Sequence, residues 1–196
     1  MWISPEIEVL KFNIDGAVSG GFGLGLAGIG GVSRNYASKT LSYFSKNVGV
    51  IDVPTAILLA IKEASILFKS SKWTQSHRLF VECDSNNAVY WIKNIHLSPA
   101  PFKGIIEGIM ATFEGLDRQV SLVSREQNTL ADNVAKKKQI GCCILGVGSM
   151  PLLLHALPAL SFASGFESFE GYACTHCFDG TNWRRAYWGF VVALVS

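Results

Sequence analysis

The sequence predicts an α/β fold with a mixed sheet of five strands and helices on both faces. Residues 9–15 alternate apolar and polar side chains, which is the period of a half-buried strand. From Asp52 onward, apolar residues recur at helical spacing. Two later apolar runs, 79–83 and 120–123, each stand between helical segments. Strands in such positions join a sheet in parallel through crossovers, so we expect the sheet to be mixed.

The first three strands are predicted to form an antiparallel meander. The buried face of the first strand carries Leu10, Phe12 and Ile14. Its opposite face carries Lys11, Asn13 and Asp15. A glycine-rich stretch at 20–28 predicts a turn into a second strand near 27–34, and a third strand is expected at about 39–48.

The helix boundaries are predicted from their capping residues. Pro54 fits the first turn of the first helix, where its missing N–H is not needed. Residues 84–86 follow the fourth strand and can cap a second helix at 87–94. A third helix is expected within 102–114. Asn128 is predicted to cap the last helix.

The charged residues divide the chain near position 139. There are 17 Lys and Arg and 15 Asp and Glu, giving a formal net charge of +2. Beyond position 139 the charged residues are Glu167, Glu170, Asp179, Arg184 and Arg185. We therefore expect an N-terminal extension at 1–9, a globular domain at 10–139 and a charge-poor tail at 140–196. The net charge alone does not identify nucleic acid as a partner, because binding several phosphates takes a clustered basic face.

The cysteines favour a reducing compartment. Only Cys83 lies in the predicted globular part, so no disulfide framework supports that part. The others are Cys142, Cys143, Cys174 and Cys177. The first residues lack the basic and apolar segments of a secretory signal. We expect an intracellular protein, nuclear or cytoplasmic, that is not secreted.

Three aspartates are candidate metal ligands. Asp15 ends the first strand, Asp84 ends the fourth, and Asp132 lies about one turn into the last helix. Acids in these positions can converge at one edge of the sheet, and Mg²⁺ prefers carboxylate oxygens. Two such ions about 3.5–4 Å apart can activate a water and stabilise the leaving oxygen of a phosphodiester. A helix cap, a strand end and a surface helix acid explain the same three residues without a metal.

Five sequence blocks distinguish between these alternatives. In chain order they are KFNIDGA (11–17), AGIGGVSR (27–34), AIKEA (60–64), VECDS (81–85) and REQNTLAD (125–132). Together they resemble the plant ribonuclease H-like family found in retrotransposon-derived proteins, and they extend over roughly the first 138 residues. The predicted order of elements also agrees with a ribonuclease H-like fold.

The resemblance implies cleavage of the RNA strand of an RNA–DNA hybrid with Mg²⁺ or Mn²⁺. Asp15, Asp84 and Asp132 match three of the family's four metal-binding, catalytic acids. A hybrid is recognised by its backbone and minor-groove shape, with the 2′-hydroxyl marking the RNA strand. Gly16 and Ser85 flank two of the acids and are candidate substrate-binding residues. A tight turn and a helix cap explain these two residues equally well.

The chain departs from the family at two polar positions. The family's fourth acid is a glutamate in a pattern like Asn-Glu-Ala-Glu-x-x-Ala, whereas residues 54–60 read PTAILLA and place Ile57 there. A family histidine is replaced by Leu122. Glu82 and Glu63 are the acids considered as substitutes. Ordinary roles, on a strand for Glu82 and on a solvated helix face for Glu63, are the favoured explanation.

Other motifs are weaker. A G-x-G-x-x-G pattern at 23–28 is followed by a glycine-rich, β-leaning segment, which favours a hairpin over a dinucleotide site. The C-x-x-C pattern at 174–177 lacks a second close pair for zinc. Lysines 136–138 fit a solvated helix C-terminus as well as a phosphate contact. Residues 140–163 carry no charge and are long enough to span a bilayer, although two prolines weaken a continuous helix.

Two hypotheses for function follow. The first is a ribonuclease H-type domain that binds nucleic acid and whose hybrid endoribonuclease activity is weak or lost. The second is a non-catalytic module that binds RNA–DNA hybrid or double-stranded RNA. Attachment to a membrane through 140–163 is a third, more remote hypothesis.

Overall fold

Seven strands and four α-helices make up the part of the chain that a computed structural model describes, namely residues 2–20, 23–137, 144–147 and 150–153. The strands are β1 (Val9–Ser19), β2 (Gly25–Arg34), β3 (Thr40–Ile51), β4 (Arg78–Cys83), β5 (Arg118–Leu122), β6 (Ile144–Val147) and β7 (Met150–Leu153). The helices are α1 (Val53–Lys69), α2 (Asn86–Lys93), α3 (Ala100–Phe113) and α4 (Arg125–Lys136). Short 3₁₀ helices lie at Lys72–Gln75 and Ile95–Leu97.

The strand order in the sheet is β5-β4-β1-β2-β3-β6-β7. Strands β1, β2 and β3 pair antiparallel, whereas β1–β4 and β4–β5 pair parallel. The five predicted strands therefore form the predicted mixed sheet. Residues 25–28 belong to β2, so the G-x-G-x-x-G pattern leads into a strand, and the hairpin prediction is confirmed.

Two short strands of the charge-poor tail continue the sheet beyond β3. Strand β6 (Ile144–Val147) pairs antiparallel with β3. Strand β7 (Met150–Leu153) pairs antiparallel with β6. The other residues of the segment considered for membrane insertion, and the C-x-x-C pattern, lie outside the described residues. Within the described ranges, each helix is too short or too polar to cross a bilayer.

Strand β1 is buried on both faces, so the prediction of a half-buried strand is wrong. Leu10, Phe12 and Ile14 lie in the main core with apolar residues of α1. The opposite face carries Lys11, Asn13 and Asp15, which are also buried. Helix α4 and the N-terminal residues Trp2 and Ile3 contact this strand and cover its second face.

Two glycines allow the helices to lie close to the sheet. A Cβ on Gly16 would lie 2.7 Å from the backbone of Ala56 and Ile57 in α1. A Cβ on Gly30 would lie 2.4 Å from the backbone nitrogen of Ala135 in α4. Because Gly30 pairs with Asp15 across the sheet, both helices meet β1 beside the same residue.

Candidate functional site

Asp15 lies on the α4 face of β1 and is largely buried. Its Oδ1 accepts a hydrogen bond from the backbone N–H of Gly16 at 2.7 Å. Burial, followed by the negative charge of Asp84, raises the pKa of Asp15 from its ordinary 3.8 to about 7. Asp132 also raises this pKa, and Arg125 lowers it. Asp84 and Asp132 are therefore close enough to Asp15 to raise its pKa.

Asp84 directly follows the last residue of β4, as predicted. The Nε of Arg125 lies 3.6 Å from its Oδ2, and the Arg125 side chain is almost fully exposed. Ser85 is the N-cap of α2, where its Oγ accepts a hydrogen bond from the backbone N–H of Ala88 at 3.3 Å. This bond explains Ser85 structurally, and its contact with substrate stays a prediction.

Asp132 lies about two turns into α4, further along than predicted, because the helix begins at Arg125. Its Oδ2 lies 2.5 Å from the Nζ of Lys136, one turn ahead on the same helix face. The third aspartate of the site is therefore paired with a lysine of its own helix.

Asn128 is not the cap of the last helix; the prediction is wrong because Ser124 is the N-cap. Asn128 is buried inside α4, and its Nδ2 donates a hydrogen bond to the carbonyl oxygen of Ile14 at 2.9 Å. This bond ties α4 to β1 beside Asp15, which holds Asp132 close to Asp15. The helix start was detectable in the sequence, since Ser124 is followed three residues later by Gln127 as in a capping box.

Asn128→Ala is expected to lower the free energy of unfolding by about 1–2 kcal/mol, because it leaves the buried Ile14 carbonyl without this donor. Chemical denaturation of the full chain measures the change. Asn133→Ala, at another asparagine of α4, is the control and should have a smaller effect. Equal losses for the two variants would contradict a specific role for the bond.

Ile57 belongs to the buried core, and its backbone lies close to Gly16, the residue after Asp15. It lies in the second turn of α1, and its backbone nitrogen is 2.7 Å from the position of a Gly16 Cβ. Asp52 caps α1 by accepting a hydrogen bond from the Thr55 N–H at 2.8 Å, which fixes this register. Gly16 is therefore explained by the close approach of α1 and not by a tight turn. Its contact with substrate also stays a prediction.

Comparisons with known proteins agree with this arrangement. Residues 13–138, more than half of the chain, match the model of the reverse transcriptase-like family. This chain belongs to the reverse transcriptase-like family. No curated protein sequence is similar enough to count as a match.

Solved structures show that this family member has the ribonuclease H fold. LC11 ribonuclease H1, isolated from compost, superposes with a TM-score of 0.61 at 21% identity over 67% of this chain and 95% of that one. Ribonuclease H1 from the archaeon Halobacterium salinarum gives 0.60 at 18% identity over 65% and 95% of the two chains. The foamy viral protease-reverse transcriptase, solved in complex with an RNA/DNA hybrid, gives 0.54 at 15% identity over 67% and 20%.

The two acids considered as substitutes for the missing glutamate are both engaged elsewhere. Glu82 is buried, with its Oε1 2.7 Å from the Nζ of Lys11 and its Oε2 accepting a hydrogen bond from Asn13 at 3.0 Å. Glu63 faces Lys46 at 3.4 Å in a partly buried ion pair. Neither carboxylate is therefore available to a metal at the aspartates.

Leu122 lies at the same edge of the sheet as the acids. It pairs with Cys83 across β4 and β5, directly before Asp84, and about half of it is exposed. The departure from the family's histidine therefore places an apolar side chain on the surface beside the site, where it supplies neither a proton nor a hydrogen bond.

The donor set of this family member does not fit a pair of hard divalent ions. Such ions need several oxygen ligands, and Ile57 supplies none at the position where the resemblance to the family implies one. Arg125 faces Asp84, and Lys136 faces Asp132. In the part of the chain that the structure describes, no three acidic, histidine or cysteine side chains are arranged to hold a metal ion.

Proposed function

We propose that this chain is a nucleic-acid-binding domain of ribonuclease H type whose cleavage of RNA–DNA hybrids is weak or lost. One observation carries the proposal. The backbone of Ile57 lies against Gly16, the neighbour of Asp15 in β1, and the resemblance to the family places a metal-binding glutamate at position 57. An apolar side chain there removes one oxygen ligand from the site while the three aspartates keep their places.

An RNA–DNA hybrid is the proposed partner. LC11 ribonuclease H1 and the foamy viral enzyme, which share this fold, were each solved with such a hybrid. Hybrid is recognised through its minor-groove shape and its 2′-hydroxyl groups, so the loss of one metal ligand leaves this recognition possible. Double-stranded RNA is the second candidate, because it presents the same features on both strands.

The five sequence blocks further support an origin in the plant retrotransposon-derived branch of the family. The single cysteine of the 10–139 region supports a reducing, intracellular location, nuclear or cytoplasmic. Both statements are part of the proposal.

Ile57→Glu is expected to raise hybrid cleavage at least about tenfold, a modest effect for one added catalytic group. The substrate is a hybrid with end-labelled RNA, incubated with the full chain and Mg²⁺ or Mn²⁺. Ile57→Gln is the matched control, because glutamine has the same length as glutamate and carries no charge. Thermal unfolding of each variant shows whether a polar residue at this largely buried position still allows folding.

Robust cleavage by the unaltered chain that Asp84→Asn abolishes would overturn the proposal of weak activity. Binding is measured separately by fluorescence anisotropy at low salt, on hybrid, double-stranded RNA and double-stranded DNA. The proposal expects salt-dependent binding of hybrid without turnover. No binding of any duplex at low salt would overturn it.

A further inference from the structure

Two cationic side chains, Arg125 and Lys136, lie beside the aspartates of the candidate site, and the sequence left a phosphate contact open for Lys136. Arg125 begins α4, and its side chain is 93% exposed while its Nε faces Asp84. Lys136 ends α4, and its side chain is 59% exposed while its Nζ contacts Asp132. Each cation therefore has one side toward an aspartate and another toward solvent.

The charges at this edge explain why these cations matter. Three aspartates in one place repel a phosphodiester unless positive charge lies between them. Divalent metal ions can supply that charge, but the oxygen ligands at this site do not fit two such ions. Arginine has five N–H donors and lysine has three, so each can contact an aspartate and still donate to a phosphate oxygen.

We infer that Arg125 and Lys136 take the place of divalent ions at this edge and contact the phosphates of the bound nucleic acid, so that binding needs no metal. The inference rests on the proposed function, because it names the groups that hold the hybrid. It adds that Asp84 and Asp132 position the two cations and do not act as metal ligands. Among the described residues, Asp15 forms no ion pair with either cation.

The first test measures metal binding alone. Mn²⁺ is titrated into the full chain, and free Mn²⁺ is followed by electron paramagnetic resonance. The expected result is no saturable binding in the micromolar range. Ile57→Glu is the comparison variant, in which an added carboxylate should strengthen Mn²⁺ binding. Saturable binding by the unaltered chain that Asp84→Asn removes would overturn the inference.

The second test measures hybrid binding in EDTA and in Mg²⁺ at matched ionic strength. The dissociation constants should agree within about twofold. Arg125→Gln and Lys136→Gln should each weaken binding about five- to tenfold at moderate salt, and each should reduce the salt slope by about 0.9, the value for one phosphate contact. Their melting temperatures should barely change, because exposed ion pairs contribute little to stability.

Lys69→Gln is the matched control, with the same change of charge at an exposed lysine. Lys69 lies 12 residues after Ile57 on α1, about 18 Å away along the helix. Equal effects of the three variants, or none, would overturn the inference while leaving hybrid binding established. Absence of hybrid binding by the unaltered chain would instead overturn the proposed function and the inference together.

Discussion

Glu82→Gln is expected to lower the free energy of unfolding by about 3 kcal/mol, because it leaves the Lys11 ammonium buried without its counter-charge. Lys11 is only 3% exposed, and its Nζ lies 2.7 Å from Glu82. Its other contacts are a hydrogen bond to the Ile3 carbonyl at 2.9 Å and the faces of the Trp2 and Phe80 rings, and these groups carry no full negative charge. Urea denaturation of the full chain, followed by circular dichroism, measures the loss.

The Lys46–Glu63 pair is the matched control within the same protein. The Nζ of Lys46 lies 3.4 Å from the Oε2 of Glu63, and the two side chains are 18% and 20% exposed. Glu63→Gln should therefore cost about 1 kcal/mol or less. The double variant Lys11→Met, Glu82→Gln should recover most of the stability that the single variant loses, since no uncompensated charge remains. Equal losses for Glu82→Gln and Glu63→Gln would contradict the prediction.

This ion pair shows what the sequence could not provide. Alternation in β1 correctly separates the face of Phe12 from the face of Lys11. It does not show that the second face is covered as well, because that depends on residues distant in sequence. The Nε1 of Trp2 donates to the Oδ1 of Asn13 at 2.7 Å, and Arg34 lies over the Trp2 ring. Trp2 therefore packs on the polar face of β1, and the side chains of Lys11 and Asn13 are buried beneath it.

The element order was predictable because each element has a local cause. Periodicity distinguishes strand from helix, and Asp52 with Pro54 marks the start of α1. The last helix was misplaced because asparagine is a common cap. Only the tertiary structure shows that Asn128 instead bonds to β1. Propensity cannot distinguish a residue that caps a helix from one that fastens a helix to a sheet.

The candidate site was predicted in composition but not in electrostatics. Three of the sequence blocks contain the three aspartates, and the resemblance to the family singles out the apolar residue at position 57. They do not show that Asp15 is buried, because that depends on how α4 lies on the sheet. The contact of Lys136 with Asp132 is instead local, an i,i+4 pair within α4 that the sequence spacing allows. The raised pKa of Asp15 therefore depends on the packing of α4 against β1.

Asp15→Asn is expected to stabilise the metal-free protein by a few kcal/mol at pH 8. The folded-state pKa of about 7 is above the ordinary 3.8, so folding disfavours the charged carboxylate. Stability from this group is fully present below about pH 4 and is lost as the pH rises to about 7, by up to about 1.4 kcal/mol per unit. Asparagine carries no charge and can still accept the Gly16 hydrogen bond, so the variant avoids this loss.

The difference in unfolding free energy between Asp15→Asn and the unaltered protein separates the effect of Asp15 from that of the other titrating groups. Urea denaturation in EDTA, from pH 3 to pH 8, should show equal stability at the acid end and a gap that widens until about pH 7 and then stays constant. Asp117→Asn is the control, because Asp117 lies on the surface in a pair with Arg78 and should give no widening gap. A constant difference across the whole range would mean that Asp15 acts through packing and not through its charge. Mg²⁺ that narrowed the gap at pH 8 would show a divalent ion stabilising the Asp15 carboxylate, contrary to a site neutralised by Arg125 and Lys136.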